Sequence, residues 1–202
     1  MNKDIRQNRF EVICGLVLSI FASILAVVQI GSGQAGGDEL KAINEKASAY
    51  QWYQSKGIKQ SLVEGQAELL EVLLKSNSIR PADTAAMQSN LQSLKTKADR
   101  YEKEKDEIMR GSANVGELHW VQEKDGKMGQ IIGAEEWEAK TETFGHIGDL
   151  YDNASLFLQL CIVMGGVALV IHRPQTKWIF FSLMLLLGSL GTGIAIYTYT
   201  SF

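Results

Sequence analysis

Three histidines, His119, His146 and His172, are the side chains of this 202-residue chain best suited to proton transfer or metal binding, and they lie 27 and 26 positions apart. A metal centre needs ligands that converge, and only His146 with Asp149, at i and i+3, fall together on one face of a helix. That pair can share a proton or begin a metal site, with His119 as a further weak candidate. At this spacing a simple side-chain interaction is the commoner outcome. Carboxylates abound, but they sit in helix-forming stretches with lysines beside them. The chain has no phosphate-binding glycine loop, nucleophile elbow, haem attachment or zinc-ligand spacing. The expectation is therefore no catalytic residue, no bound metal, no cofactor and no enzymatic activity.

The elements that would position these side chains divide into two populations. Residues 12–30, 155–171 and 178–200 are uncharged and mostly apolar, each roughly long enough to cross about 30 Å of hydrocarbon as a helix. Residues 31–154 hold 15 Lys or Arg and 21 Asp or Glu, a net charge of −6, which disfavours nucleic acid as a partner. Basic residues otherwise gather at Lys3, Arg6 and Arg9, and at Arg173 and Lys177 in the turn 172–177. Short basic flanks stay in the cytoplasm. Both clusters thus predict a cytoplasmic N-terminus (residues 1–11), an exported 31–154 segment and a multi-pass protein of the bacterial inner membrane. His119 and His146 would be outside and His172 inside. A cleaved signal peptide is the competing reading of the first apolar stretch, whose core is long for that purpose. Cys14 and Cys161 fall within spans, which suits small apolar fillers rather than a disulfide scaffold.

The exported segment reads as helical. Glycine-rich residues 31–37 predict a flexible tether, after which Asp38 can cap a helix over about 38–76. Along that helix Leu40, Ile43, Ala47, Tyr50, Gly57, Leu62, Leu69, Val72 and Leu73 recur near helical spacing. A turn through Asn77, Ser78 and Arg80 leads to Pro81, which suits the first position of a second helix, 81–110. There Met87, Leu91, Leu94, Ala98, Tyr101, Lys105 and Ile108 alternate at intervals of four and three, a heptad seam that predicts an antiparallel coiled coil with the preceding helix. The run Glu102 to Glu107 predicts a solvated face. Residues 111–133 break the pattern with five glycines and predict a small β-hairpin turned at Asp125-Gly126, between Leu118–Gln122 and Lys127–Ile132. Helical spacing resumes at Ala134 and continues to Ile171, so that helix 134–154 and the second span form one rod.

Coupled transport would leave an embedded carboxylate or histidine inside a span, and the three spans carry neither. Small residues mark packing faces instead: Ser19, Ala22, Ser23 and Ala26 in the first span, Gly165 and Gly166 in the second, Gly188, Ser189 and Gly193 in the third.

A more specific pattern follows the first span: Trp52, Tyr53, Gln54, Lys56, Ile58 and Lys59. It resembles the signature of a bacterial membrane family described as domain of unknown function 4337. The layout, one early span, a helical exported segment and two closing spans, is similar to that family's as well. The resemblance implies this architecture and adds no activity. Adjacent aromatics point about 100° apart on a helix, so Trp52 and Tyr53 cannot both face a narrow seam. With Lys56, Lys59, Trp120 and Trp137 they are the expected contact residues for assembly. An all-α, three-span scaffold or accessory subunit, homo-oligomeric or joined to another membrane protein complex, is the preferred expectation. A channel around a symmetry axis is the alternative, and a membrane enzyme or metal-binding protein ranks third.

Overall fold

A computed structural model describes residues 2–76 and 80–202. Five α-helices dominate: α1 (Asn2–Lys75), α2 (Pro81–Arg110), the single turn α3 (Ser112–Val115), α4 (Ala134–Val170) and α5 (Pro174–Ser201). Helices α1, α4 and α5 each contain a stretch long and apolar enough to cross a membrane. Contacts divide the chain into two units, one holding the residues up to Glu39 with Glu142–Phe202, the other Leu40–Thr141.

In the first unit the helices meet through small residues in heptad register. On α4 the buried positions are Ala154, Leu158, Cys161, Gly165 and Ala168, and on α5 they are Met184, Gly188, Gly191, Ala195 and Thr198. Each set alternates at intervals of four and three, which keeps one face inward along the whole helix. From α1, Cys14 and Val28 join this core, with Leu18, Phe21, Ile24 and Leu25 packed around them. The glycines permit that closeness. A Cβ at Gly191 would lie 2.9 Å from the Ala154 carbonyl oxygen, and one at Gly188 would enter the Phe21 ring.

Residues 31–37 are helical throughout, so the flexible tether expected from their glycines is replaced by uninterrupted α1. Glycine in a helix costs about 1 kcal/mol relative to alanine, and tertiary contacts offset it here. The Tyr151 ring lies flat against Gly31, where a Cβ would be only 3.0 Å from it. Ser32 Oγ donates to Asp152 Oδ1 at 2.8 Å, and Ala35 is buried. The cap expected at Asp38 is accordingly no helix start. The turn between α4 and α5 is also shorter than the expected 172–177, because Pro174 already opens α5 with Arg173 as its N-cap.

In the second unit α2 starts at Pro81 and stops before Gly111, as the sequence predicts; Asn77 and Ser78 of the expected turn lie outside the described residues. Gly111 adopts φ +88°, a left-handed conformation that ends the helix while its N–H still donates to the Glu107 carbonyl at 2.8 Å. Lys95 pairs with Glu71, Lys105 donates to Gln60 and Lys56 pairs with Glu104. Descending numbers on α1 against ascending numbers on α2 make the two helices antiparallel neighbours. Met87, Leu91, Leu94, Ala98, Tyr101 and Lys105 are all half-buried and Ile108 is fully buried, so this series is the inward face of α2.

The apolar series expected to be the packing face of α1 points the other way. Leu40, Leu62, Leu69 and Val72 are 60 to 63% exposed. The buried or half-buried series is Ala42, Ala49, Lys56, Val63 and Leu70, with Lys46, Tyr53, Gln60, Ala67 and Leu74. Steps of seven keep these residues on one seam, and small or long-stemmed side chains suffice there because the neighbouring helix lies close.

Residues 111–133 contain α3, a 3₁₀ turn over Glu117–His119, and two-residue strands β1 (Glu123–Lys124) and β2 (Lys127–Met128). The strands pair antiparallel, Glu123 with Met128 and Lys124 with Lys127, about Asp125 (φ +52°) and Gly126 (φ +77°). These left-handed conformations at both central residues match a two-residue hairpin turn. The strands are far shorter than the sequence suggested. Leu118 and His119 belong to the 3₁₀ turn, and Trp120 and Gln122 are engaged elsewhere.

Candidate functional site

The most constructed site in the second unit is a buried polar knot at the end of α2, absent from the sequence reading. Glu107 is fully buried. Its Oε1 accepts from Ser112 Oγ at 2.8 Å; its Oε2 accepts from the backbone N–H groups of Val121 and Gln122 at 3.2 and 3.1 Å. Ser112 Oγ also accepts from the Ile131 N–H at 2.9 Å, while Ser112 N–H donates to the Ile131 carbonyl at 2.8 Å. Glu107 thus gathers two stretches of the glycine-rich segment directly and a third, at Ile131, through Ser112. Trp120 Nε1 donates to the Ser112 carbonyl at 2.7 Å, and its ring covers Gly129, where φ is +78° and a Cβ would lie 2.8 Å from the ring. Gly133 completes the knot by backbone contact, since a Cβ there would enter the backbone of Met109 to Gly111.

One turn earlier lies Glu104, whose side chain is 4% exposed. Arg100 Nε donates to its Oε1 at 2.9 Å, and Lys56 Nζ stands 2.5 Å from its Oε2. That second contact is a close ion pair, so both carboxylate oxygens of Glu104 face a cation. Gln122 Nε2 donates to the Glu104 carbonyl at 3.1 Å, whereas Gln122 Oε1 has no partner among the described residues. Glu104 and Glu107 correct the expectation that the run from Glu102 to Glu107 is wholly solvated. The clue lay in their spacing: Glu104 is one turn before Ile108 of the seam, Glu107 is next to Ile108 in sequence, and Gly111-Ser112 ends the helix one turn after Glu107.

The expected assembly residues separate into different roles. Lys56 lies in the seam, within 5.8 Å of the Tyr101 ring centroid in addition to its pairing with Glu104. Tyr53 packs with Ala49, Ile108 and Met109, and Lys105 Nζ stands 5.0 Å from its ring centroid. Trp120 serves the knot. By contrast Trp52 is 39% exposed and Lys59 is exposed. Trp52 and half-buried Trp137 line one groove of about 260 Å³ together with Glu45, Glu123, Lys124 and Ile132. Lys140 covers Trp137, with Nζ 4.4 Å from the ring centroid.

The small residues of the spans also sort by face. Gly165 and Gly188 are tight contacts within the chain, and Gly191 is a third that belongs with them. Ser19, Ser23, Ala26, Gly166, Ser189 and Gly193 face outward, and Ala22 is half-buried. Ser19 and Ser23 donate to carbonyls four residues back, and Ser189 to one three back, so none of these hydroxyls bonds across helices. At one end of the bundle Lys177 is 8% exposed, with Nζ 3.3 Å from Glu11 Oε1 and 5.0 Å from the Phe10 ring centroid.

His119 is exposed beside the Val115 carbonyl, and His146 stacks edge-on against Phe202 with centroids 6.0 Å apart. Among the described residues no three His, Cys, Asp or Glu side chains converge as metal ligands would. On the water-side surface, Glu71 is held below the usual carboxylate range by a hydrogen bond from Lys95 Nζ and by its charge.

A helical protein with three helices long and apolar enough to cross a membrane, and a long polar helical segment, is the class these features define. The family model described as Domain of unknown function (DUF4337) matches residues 10–201, nearly the whole chain, and the protein belongs to that family. No curated protein and no solved structure matches it.

Proposed function

We propose that the protein is a homo-oligomeric scaffold or accessory subunit of the bacterial inner membrane, with its N-terminus cytoplasmic and residues 31–154 periplasmic, and that it works by assembly without catalysis. The supporting observation is the division of labour in the second unit. Its buried carboxylates are tied down within their own chain, Glu107 by Ser112 and the backbone of Val121 and Gln122 and Glu104 by Arg100 and Lys56, whereas Leu40, Ile58, Leu62, Leu69 and Val72 of α1 face outward. Along α1 the accessible surface offers leucine, isoleucine, valine and tryptophan, which are suited to protein contacts. In this reading α1 and α2 supercoil as an antiparallel coiled coil, and the β1–β2 hairpin with its knot stiffens the far end of α2.

The test is native mass determination of the protein extracted in mild detergent from its own membrane. A discrete homo-oligomer supports a scaffold, and stoichiometric foreign subunits support an accessory role. A monomer with neither overturns the proposal, and selective ion flux through reconstituted liposomes transfers it to a channel. Labelling of intact cells checks the orientation: Lys103→Cys and Arg173→Cys, both at exposed positions, in the same compartment would refute it.

A further inference from the structure

One side of α1 beyond Leu40 is uncharged, carries exposed apolar side chains at both ends with Asn44, Gln51, Gln54 and Ser55 between them, and is not covered by α2; its geometry identifies the occupant. Each residue turns a helix by about 100°, so residues lying on a straight line recur every 3.6 positions. From Leu40 that line passes through or beside Ile43, Ile58, Leu62, Leu69 and Val72. These side chains are 60, 39, 72, 63, 62 and 63% exposed in that order. The line runs opposite the seam of Ala42, Ala49, Lys56 and Val63, so α2 leaves it uncovered. Within about 60° of it, between Leu40 and Leu73, there is no Lys, Arg, Asp or Glu. Every charge on this stretch of α1, from Lys41 to Glu71, lies farther round.

We infer that this stripe is the homotypic interface of the protein: a second copy packs its own α1 stripe against it, parallel and in register. The inference rests on the assembly proposed above and specifies its surface. Three features select a copy of the same chain. First, a face without charge meets its own image without like-charge repulsion, the usual obstacle to self-docking. Secondly, the stripe lies along one uninterrupted helix, so two copies running in the same direction bring its residues together in the same order. Each residue then meets its own equivalent. Thirdly, the apolar side chains of the stripe are 39 to 72% exposed, and covering them with like side chains is favourable by about 25 cal/mol per Å² removed from water. Gln51 and Gln54, which lie on the same face, can bond to their equivalents across it.

The experiment is disulfide cross-linking in native membranes, with single cysteines at Leu62→Cys or Leu69→Cys and a control at Lys103→Cys on the exposed side of α2. Wild type, whose Cys14 and Cys161 are buried, supplies the background. The proposal expects same-site dimers at both stripe positions, about tenfold above the control, because equivalent seam residues in a parallel pair face each other. A second variant, Ile58→Glu with Leu62→Glu, should split the oligomer in detergent while its far-ultraviolet circular dichroism stays that of wild type. A wild-type oligomer with no stripe cross-link overturns this interface and leaves the scaffold reading standing. A monomeric wild type overturns both. A foreign subunit that shields Leu62→Cys from maleimide, without same-site dimers, also overturns it.

Discussion

The two units solve the problem of helix contact in opposite ways. Where the helices are apolar enough for lipid, their inward faces interleave glycine, alanine, cysteine and threonine with a few bulky side chains such as Leu158 and Met184, and many other bulky apolar side chains point out. Lipid tails are as apolar as leucine, so close backbone packing rather than burial of oil must hold such helices together. In the water-side unit the inward faces carry alanine, a buried ion pair and a carboxylate knot, yet the outward face of α1 is again apolar. Outward leucine is neutral in lipid but costs free energy in water until something covers it. The same helix thus has its outside satisfied by solvent in one half and left wanting in the other, which is why the second half reads as an assembly surface.

The strongest way to break this contrast is at the knot. Glu107→Ala should destabilise the water-side unit by about 4 kcal/mol, because three buried donors lose their acceptor together. Thermal unfolding followed by circular dichroism, with limited proteolysis within 111–133, measures it. Glu107→Gln should recover part of the loss by keeping an acceptor oxygen. In the bundle, Gly191→Leu should cost about 3 kcal/mol by overpacking against Ala154 and Leu158, while outward Gly193→Leu should change stability by less than about 0.5 kcal/mol. Equal effects would show that the chosen face is wrong.

A smaller loss, about 2 kcal/mol, is expected for Lys56→Met, which leaves Glu104 buried with Arg100 alone; Lys59→Met, three residues away on the surface, should be near neutral. The difference in unfolding temperature tests whether the two lysines of the family motif have separate jobs. Smallest of all is the exposed Glu71–Lys95 pair. Because the folded-state pKa of Glu71 lies below its ordinary value, its contribution is present above that ordinary range. It is lost as pH falls through the lowered value. A carboxyl-carbon titration by nuclear magnetic resonance should return to the ordinary range in Lys95→Met.

Much of the architecture was legible because it depends on local chemistry. Pro81 and Gly111 bracket α2 since one suits a first helical turn and the other the left-handed exit, and the 4-3 spacing from Met87 to Ile108 named its inward face. The glycines of 31–37 misled because their intrinsic cost is local, while the Tyr151 ring and Asp152 that offset it lie some 120 positions away. Glu104 and Glu107 were missed for a related reason. A carboxylate in a run of alternating charge looks solvated until the residues that cover it, Val121 and Gln122, fold back over it. On α1 the apolar residues were visible, but hydrophobicity cannot say which neighbour is close enough for alanine to suffice.

From residue order alone came the three membrane-length helices, the acidic helical segment between the first two, and the resemblance later met by a family match over residues 10–201. These follow from length, charge and hydropathy, which belong to each stretch by itself. Only the folded arrangement decided that α1 runs unbroken, that Gly191 packs while Gly193 does not, and that a carboxylate gathers the glycine-rich segment. Those outcomes turn on distances between residues far apart in the chain, where a close neighbour can outweigh what each stretch would choose alone.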